Sequence, residues 1–172
     1  MKLSKKLAQD FRTGRNLLVE KVDEETFWVS DTQIAVKLGL DDFMEFREKW
    51  NNYKTTVNIM EVSQVVKIVN GELSKHDGSV MAHVIENNLD YKLKITEEVR
   101  AEVGKLGERK LVANEIGDVY ISQKFEYLIT ALEGCELHTS GKFGAIHVLL
   151  DDDLKALIMP VREFENGDCR WD

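Results

Sequence analysis

The stretch between residues 118 and 162 constrains the fold more than any other part of this sequence. Residues 119–121 form a short apolar run that predicts a strand, and Gly134 ends the helical pattern that follows it. Three further apolar segments come next, separated by turn-forming residues. The apolar residues at the helical spacing i, i+3, i+4 and i+7 are Phe125, Leu128, Ile129 and Leu132. The sequence therefore predicts a strand, a helix begun by Ser122 and three more strands, at 135–139, 145–150 and 154–161.

The first 41 residues predict the same order of elements. Residues 1–3 precede a helix that we expect from Ser4 to about Thr13, with the Ser4 hydroxyl accepting a first-turn amide hydrogen. Alternating or apolar segments then predict three strands, at 17–22, 26–30 and 33–38. Two segments with the same order of elements indicate an internal structural repeat, although few residues are identical between them.

The middle of the chain, residues 42–112, gives two interpretations. A short helix at 42–53, a strand at 55–59 and a helix at 61–73 are predicted, then a half-buried strand at 89–95 with 79–85 as its hairpin partner. On that pattern the middle is a third copy of the unit. Because residues 96–106 also look helical and do not fit the repeat, an irregular insertion is the alternative. The predicted organisation is one domain of 172 residues, with half-units 1–41 and 113–165 and a C-terminal tail 166–172.

Composition limits the class of protein. The net charge of −8 argues against a protein that wraps nucleic acid with its whole surface, but it is compatible with one local basic face. The two cysteines, Cys135 and Cys169, lie far apart in the sequence and predict reduced thiols in a cytoplasmic protein. Neither a signal peptide nor an apolar run long enough to cross a membrane is visible. We expect no cofactor and no membrane partner.

Five segments resemble the bacterial DNA sliding clamp, the β subunit of DNA polymerase III. Tyr127–Leu132 and Leu157–Arg162 resemble the helix and the final strand of the third clamp domain. Phe27–Asp31 followed by Ile34–Val36 is similar to a pair of strands in the first half of a clamp domain, and Gly14–Leu18 resembles the loop after the first helix, where the family carries a basic residue facing DNA. The resemblance covers about half the chain. It implies an α+β fold of the DNA-clamp type, with repeated strand-helix-three-strand units, antiparallel sheets and the helices on one side.

The resemblance also implies a binding surface for double-stranded DNA. In sliding clamps the helices line the inside of a ring, where basic side chains contact phosphates without reading sequence. The positions that match here are Lys5, Lys6, Arg12, Arg15 and Lys124. The alternative for each of them is a solvated charge on an amphipathic helix, and Glu126 on the second helix weakens the basic patch.

A second implied site is a groove for short peptides from DNA polymerase or other clamp-binding proteins. The positions that match the family's last strand are Leu157, Met159, Pro160, Val161 and Arg162. A methionine suits such a groove because its flexible thioether adapts to different apolar side chains. The alternative is a terminal strand whose methionine and valine face the core.

Two departures from the family follow from the sequence. The chain continues past Arg162 through Phe164 to Asp172, and Phe164 or Trp171 would be able to cover or occupy the groove. The chain is also much shorter than a three-domain clamp, so a closed ring would need a homo-oligomer of roughly four or six copies joined head to tail. A phage or mobile element is one possible source of such a single module.

Three functional hypotheses remain. The first is a sliding-clamp-like processivity or docking factor that is not an enzyme. The second is a clamp-fold protein interaction module that does not encircle DNA. The third is a small metal-dependent hydrolase or nuclease using Asp151–Asp153, although three consecutive carboxylates in a hairpin turn point in different directions. We expect no metal between Cys135 and His138, because strand alternation places them on opposite faces.

Overall fold

The chain folds into two compact units, residues 1–85 and 86–172. A computed structural model describes residues 3–11, 16–50, 62, 64–69, 72–85, 88–100 and 107–161. The described part contains three α-helices and eleven strands, five in unit 1 and six in unit 2. Every strand pair within either unit is antiparallel. The mixed α and β content and the antiparallel pairing that the sequence predicts are therefore confirmed.

Unit 1 is a five-stranded antiparallel sheet with two helices. Its strands lie in the order β5-β4-β1-β2-β3. The elements are α1 (Leu3–Phe11), β1 (Asn16–Lys21), β2 (Thr26–Ser30), β3 (Ile34–Gly39), α2 (Leu40–Trp50), β4 (Gln64–Val69) and β5 (Glu72–Asp77), followed by a 3₁₀ turn at Met81–His83. The helix and the three strands predicted for the first 41 residues are present, while the strand expected at residues 1–3 lies mostly outside the described residues.

Aromatic side chains join the helices of unit 1 to its sheet. The Phe27 ring on β2 stacks on the Phe43 ring on α2, with centroids 4.0 Å apart. Phe11 on α1 meets Phe46 on α2 edge to face at 5.9 Å. All four rings are at most 4% exposed. Burying an aromatic side chain stabilises a fold by roughly 1.5–3 kcal/mol, so this cluster fixes α2 on the sheet and α1 on α2.

The N-terminal helix packs on α2 through a polar contact that the sequence did not indicate. Ser4 lies inside α1 and is fully buried, so its predicted role as the helix cap is wrong. Its hydroxyl instead donates a hydrogen bond of 2.8 Å to Glu45 Oε2 on α2. Leu7, Ala8 and Phe11, which share one helical face with Ser4, are buried as well. Ser4 therefore belongs to the helix–helix interface.

The helix predicted at residues 61–73 is wrong, because this segment forms the β4–β5 hairpin. Val65 and Val66 are buried in β4, and Val69 pairs with Glu72 across the turn. β-Branched residues are stiff in a helix and pack well on a pleated surface, which favours the strand despite their helix-like spacing. The two residues between Val69 and Glu72 are Asn70-Gly71 in the sequence, the preferred dipeptide of a two-residue hairpin loop.

Unit 2 is a six-stranded antiparallel sheet with one α-helix. Its strands lie in the order β11-β10-β9-β6-β7-β8. The elements are β6 (Tyr91–Arg100), β7 (Glu108–Ala113), β8 (Gly117–Ser122), a 3₁₀ turn (Gln123–Phe125), α3 (Glu126–Ala131), β9 (Glu136–Thr139), β10 (Ile146–Leu150) and β11 (Asp153–Ile158). The strand, helix and three strands predicted for this end of the chain are present. The middle segment 42–112 contributes to both units.

Two predictions for the start of unit 2 are wrong. The partners of β6 are β9 and β7, and residues 81–83 form a 3₁₀ turn rather than a hairpin strand. Residues 96–100 continue β6 instead of starting a helix, and residues 101–106 lie outside the described part. A bulge between Ile95 and Val99 interrupts the pairing with β7. Because Thr96 Oγ1 donates to Lys110 O at 2.9 Å, the bulge stays attached to the neighbouring strand.

The closing helix is shorter than the sequence predicted. Ser122 makes no side-chain capping bond, and the chain passes through the 3₁₀ turn before α3 begins. Phe125 and Leu128, two of the apolar residues predicted at helical spacing, are buried. After β11, the Val161 amide donates a 2.8 Å hydrogen bond to Tyr120 O. Among the described strands β8 pairs with β7, and this bond adds a backbone partner at Tyr120.

Candidate functional site

Two of the predicted DNA-contacting lysines lie on α1. Lys5 is exposed, whereas Lys6 is half-buried and its ammonium lies 2.9 Å from Asp10 Oδ1, one helical turn later. Such an i, i+4 pair stabilises a helix by a few tenths of a kcal/mol and reduces the net positive charge that Lys6 offers to a phosphate. Arg12 and Arg15 lie outside the described residues. Lys5 is thus the accessible cation on this helix among the residues that the structure describes.

The third described lysine of the predicted basic face precedes α3 instead of lying on it. Lys124 belongs to the 3₁₀ turn and is exposed. Its Nζ lies 4.5 Å from the centroid of the Phe125 ring, a cation–π distance. Because the Phe125 ring is buried, it restricts the orientation of the lysine stem. The position of this charge is therefore tied to the start of α3.

The carboxylate of Glu126, which the sequence indicated as a weakness of the basic face, is bound by arginine. Arg109 on β7 donates from Nε to Glu126 Oε1 at 2.8 Å and from Nη2 to Oε2 at 3.1 Å. These hydrogen bonds raise the pKa of Arg109 above its ordinary value. Nη1 of the same guanidinium donates to Thr96 O at 3.3 Å and to Glu97 O at 2.8 Å, both in the β6 bulge. One side chain thus joins β7, β6 and α3.

Cross-strand ion pairs lie on the face of the unit 2 sheet opposite the one from which Arg109 contacts α3. Lys110 on β7 lies 2.9 Å from Asp118 Oδ2 and 3.1 Å from Glu98 Oε2, and these partners raise its pKa. Glu136 on β9 accepts hydrogen bonds from Lys92 and His138, and the bond from Lys92 is the main cause of its lowered pKa. Such paired charges of both signs are typical of a solvated sheet face rather than an anion-binding surface.

The predicted peptide groove is largely closed at its matched positions. Leu157 and Val161 are 2% and 6% exposed, and Pro160 is buried. Met159 is half-buried, and Arg162 lies outside the described residues. The burial of Leu157 and Val161 is what the alternative from the sequence, a terminal strand that faces the core, would give. Whether the strand borders a peptide site stays a prediction.

An accessible apolar residue that sequence reasoning missed lies near this strand. Phe143 is 54% exposed in the loop between β9 and β10, the highest value among the large hydrophobic residues that the structure describes. Ile146 pairs with Ile158, so Phe143 and Met159 lie at the same end of the β10–β11 pair. Thr139 Oγ1 donates to Gly141 O at 2.8 Å and fixes the start of the loop. The Gly-Lys-Phe-Gly sequence at 141–144 was the available signal.

The acidic turn has the geometry of a tight hairpin. Asp151 and Asp152 have φ values of 52° and 62°, and Leu150 pairs with Asp153 across them. Positive φ at both central residues is what a two-residue type I′ turn requires. Asp153 bonds Lys155 at 2.7 Å. No group of three histidine, cysteine, aspartate or glutamate side chains within the described ranges is arranged to hold a metal ion.

Cys135 and His138 have separate partners. The Cys135 thiol donates a weak hydrogen bond of 3.8 Å to Ile129 O, and burial raises its pKa. His138 Nε2 lies 3.1 Å from Glu136 Oε2 on its own strand. A raised thiol pKa disfavours the reactive thiolate form.

Comparisons with known proteins give no family for this chain. No model of a known protein family matches the sequence, and no curated protein matches it significantly. In the described part of the chain, no helix has both the length and the apolar character needed to cross a membrane.

Proposed function

We propose that this protein is a clamp-like DNA docking factor, which contacts the DNA backbone without sequence preference and presents a docking site for partner peptides. The observation that carries the proposal is the order of elements in the two units. In unit 1, α1 is followed by the antiparallel strands β1, β2 and β3; in unit 2, α3 is followed by β9, β10 and β11. In each unit a further antiparallel strand pairs with the first of the three, β4 with β1 and β6 with β9. Repeated helix-plus-meander units are what the clamp resemblance implies.

The charges near the two helices support backbone contact. Lys5 on α1 and Lys124 before α3 are exposed. The Glu126 carboxylate is bonded at both oxygens by Arg109, which reduces its repulsion of a phosphate. Lysine contacts to phosphates release counterions from DNA, so binding depends steeply on salt and carries no sequence information. A protein with a net charge of −8 needs accessible cations of this kind to bind DNA at all.

DNA binding is tested by the salt dependence of affinity for two duplexes of unrelated sequence. We expect similar affinities for both, and a slope of log K against log salt that falls by about 2 in the variant Lys5→Glu with Lys124→Glu. The matched control is Lys94→Glu with Lys142→Glu, which makes the same charge change at two exposed lysines elsewhere. Equal losses in both double variants, or no binding by the wild type, would refute the DNA-contacting surface.

The accessible apolar residues suggest where a partner peptide would dock. Met159 and Phe143 lie at the same end of the β10–β11 pair, while the buried Leu157 and Val161 hold that strand in place. The probe is a fluorescently labelled peptide from the clamp-binding segment of a bacterial replicative polymerase. We expect Met159→Glu and Phe143→Glu to weaken its binding and Val69→Glu, at an exposed valine of unit 1, to leave it unchanged. Binding that is insensitive to both variants would contradict this docking site.

The net negative charge favours a second candidate, a clamp-fold interaction module that does not encircle DNA. The two candidates differ in the mass of the particle in solution. Light scattering at increasing protein concentration separates them, because encirclement by so short a chain needs a closed assembly of roughly four or six copies. A monomer that binds the polymerase peptide but no DNA would favour the module.

A further inference from the structure

The last segment of unit 1, Ser79–Ile85, is attached to the sheet by hydrogen bonds to one buried carboxylate, Glu20 on β1. Glu20 on β1 is only 2% exposed. It accepts a hydrogen bond from the Ser79 hydroxyl, and its Oε2 accepts the amide hydrogens of Val80 at 3.0 Å and Met81 at 2.9 Å. We call this segment the strap. Its attachment depends on Glu20 because a buried carboxylate satisfies three donors at once.

Few of the strap side chains that the structure describes are buried. Met81 is 4% exposed, whereas Ala82 and Val84 are exposed and Ser79 and Val80 are half-buried. Internal hydrogen bonds hold its turn together: Ala82 N donates to Ser79 Oγ at 3.0 Å, and Val84 N donates to Met81 O at 2.9 Å. Segments with few buried apolar groups open at lower free-energy cost than the core they cover. Among the strap side chains that the structure describes, Met81 is therefore the buried apolar one, and hydrogen bonds to Glu20 attach the turn to the sheet.

The surface under the strap is a row of paired residues. Glu20 pairs with Trp28 on β2 and with Val65 on β4, so the three side chains lie on one sheet face. Trp28 and Val65 are 4% and 0% exposed. This face is opposite the one that carries Phe27, on which α2 packs. The hydrogen bond from the Met81 amide to Glu20 places the strap next to these three residues.

We propose that the strap is a releasable segment that Glu20 keeps closed, and that it opens without unfolding the sheet of unit 1. Unit 2 begins at residue 86, directly after the strap. Release of Ser79–Ile85 adds seven residues to the connection between the units, up to about 24 Å of extended chain. A negative charge placed on residue 79 opens the strap, because it repels the Glu20 carboxylate inside a site with little water. This inference does not depend on the proposed function.

Hydrogen exchange of individual amides tests the proposal in the full chain. The Val80 and Met81 amides report opening of the strap, and the Val29 amide on β2, fully buried, reports unfolding of the sheet. In the wild type we expect Val80 and Met81 to exchange at least tenfold faster than Val29. In Glu20→Gln the Val80 and Met81 amides are expected to exchange a further tenfold faster or more, while the exchange rate of the Val29 amide changes little.

Charge-matched controls separate release from general destabilisation. Glu24→Gln removes an exposed carboxylate next to the same strand. It is expected to leave the exchange rates of the strap amides and of the Val29 amide unchanged. Ser79→Asp is expected to open the strap, while Ser74→Asp, at an exposed serine of β5, is not. Exchange of Val80 and Met81 at the rate of Val29 in the wild type would overturn the proposal. Equal acceleration of all three amides in Glu20→Gln would overturn it as well.

Discussion

Arg109 and Glu126 form a bidentate ion pair that attaches α3, the closing helix of unit 2, to its sheet. The two N–O distances are 2.8 and 3.1 Å, and the side chains are 18% and 27% exposed. Because the remaining guanidinium nitrogen donates to the carbonyls of Thr96 and Glu97, the arginine also holds the β6 bulge. The helix and the bulge therefore depend on the same side chain.

The first prediction concerns this arginine. Arg109→Lys is expected to lower the melting temperature nearly as much as Arg109→Gln, because an ammonium group cannot reproduce the planar set of donors that contacts four oxygens. Measured by thermal unfolding, Arg109→Gln and Glu126→Gln should be non-additive, since either removes the shared pair. Lys142→Gln, at an exposed loop lysine, is the control and should leave the melting temperature unchanged. Full rescue by lysine would contradict the shared role.

The second prediction is a pH dependence through Glu136. The bond from Lys92 lowers the folded-state pKa of Glu136 below its ordinary value of 4.5. The unfolded chain therefore binds this proton more readily, and the pair stabilises the fold above pH 4.5 and ceases to do so as the pH falls through the lowered pKa. Lys92→Gln should reduce the melting temperature near neutral pH, with the difference from wild type shrinking as the pH falls below 4.5 through the lowered pKa of Glu136. Lys94→Gln on the same strand is the control, and a difference independent of pH would contradict the assignment.

The third prediction concerns the turn between β10 and β11. Asp151 and Asp152 occupy left-handed conformations that cost an ordinary residue roughly 1–2 kcal/mol each. Replacing the pair by Asn-Gly, the dipeptide that such turns prefer, is expected to stabilise the protein by about 1 kcal/mol, or about 3 °C in melting temperature. Asp152→Ala separates conformation from charge. Alanine removes the repulsion between the two adjacent carboxylates, as Asn-Gly does, but it keeps a Cβ in the left-handed conformation. Stabilisation by alanine would therefore contradict the conformational explanation.

The fourth prediction compares two glycines. A Cβ on Gly107 would lie 2.7 Å from both Gln123 Oε1 and Val99 Cγ1, whereas a Cβ on Gly141 would meet nothing within 4 Å. Gly107→Ala is expected to cost about 1–3 kcal/mol in the free energy of unfolding, measured from urea denaturation. Gly141→Ala should change it by less than about 0.5 kcal/mol. Equal effects at the two positions would contradict the close approach at Gly107.

The elements that the sequence predicted correctly are those whose signals are local. Alternation and turn residues indicated β1 to β3 and β9 to β11, and apolar spacing indicated α3. The β4–β5 hairpin was missed because Val62, Val65, Val66 and Val69 match a helical spacing, while their branched side chains and the Asn-Gly dipeptide favour strands. The spacing alone was the weaker signal in this case.

The contacts that hold the candidate site together were not predictable in the same way. Arg109 and Glu126 are 17 positions apart, and Glu20 and Ser79 are 59 apart, so no periodicity relates them. The clamp resemblance identified Lys5 and Lys124 as candidates but gave neither the Lys6–Asp10 pair nor the burial of Leu157 and Val161. Such long-range partners depend on strand order and register, which a single sequence does not specify.

The bond between the Val161 amide and Tyr120 O has a consequence for how the molecule behaves at high concentration. A bare edge strand is a template on which a strand from another molecule adds, and this is a common route to aggregation. At Tyr120 that carbonyl is already occupied by the chain's own backbone. Shortening the chain to end before Val161 would free it, so fragments truncated there are expected to self-associate more readily than the 172-residue chain.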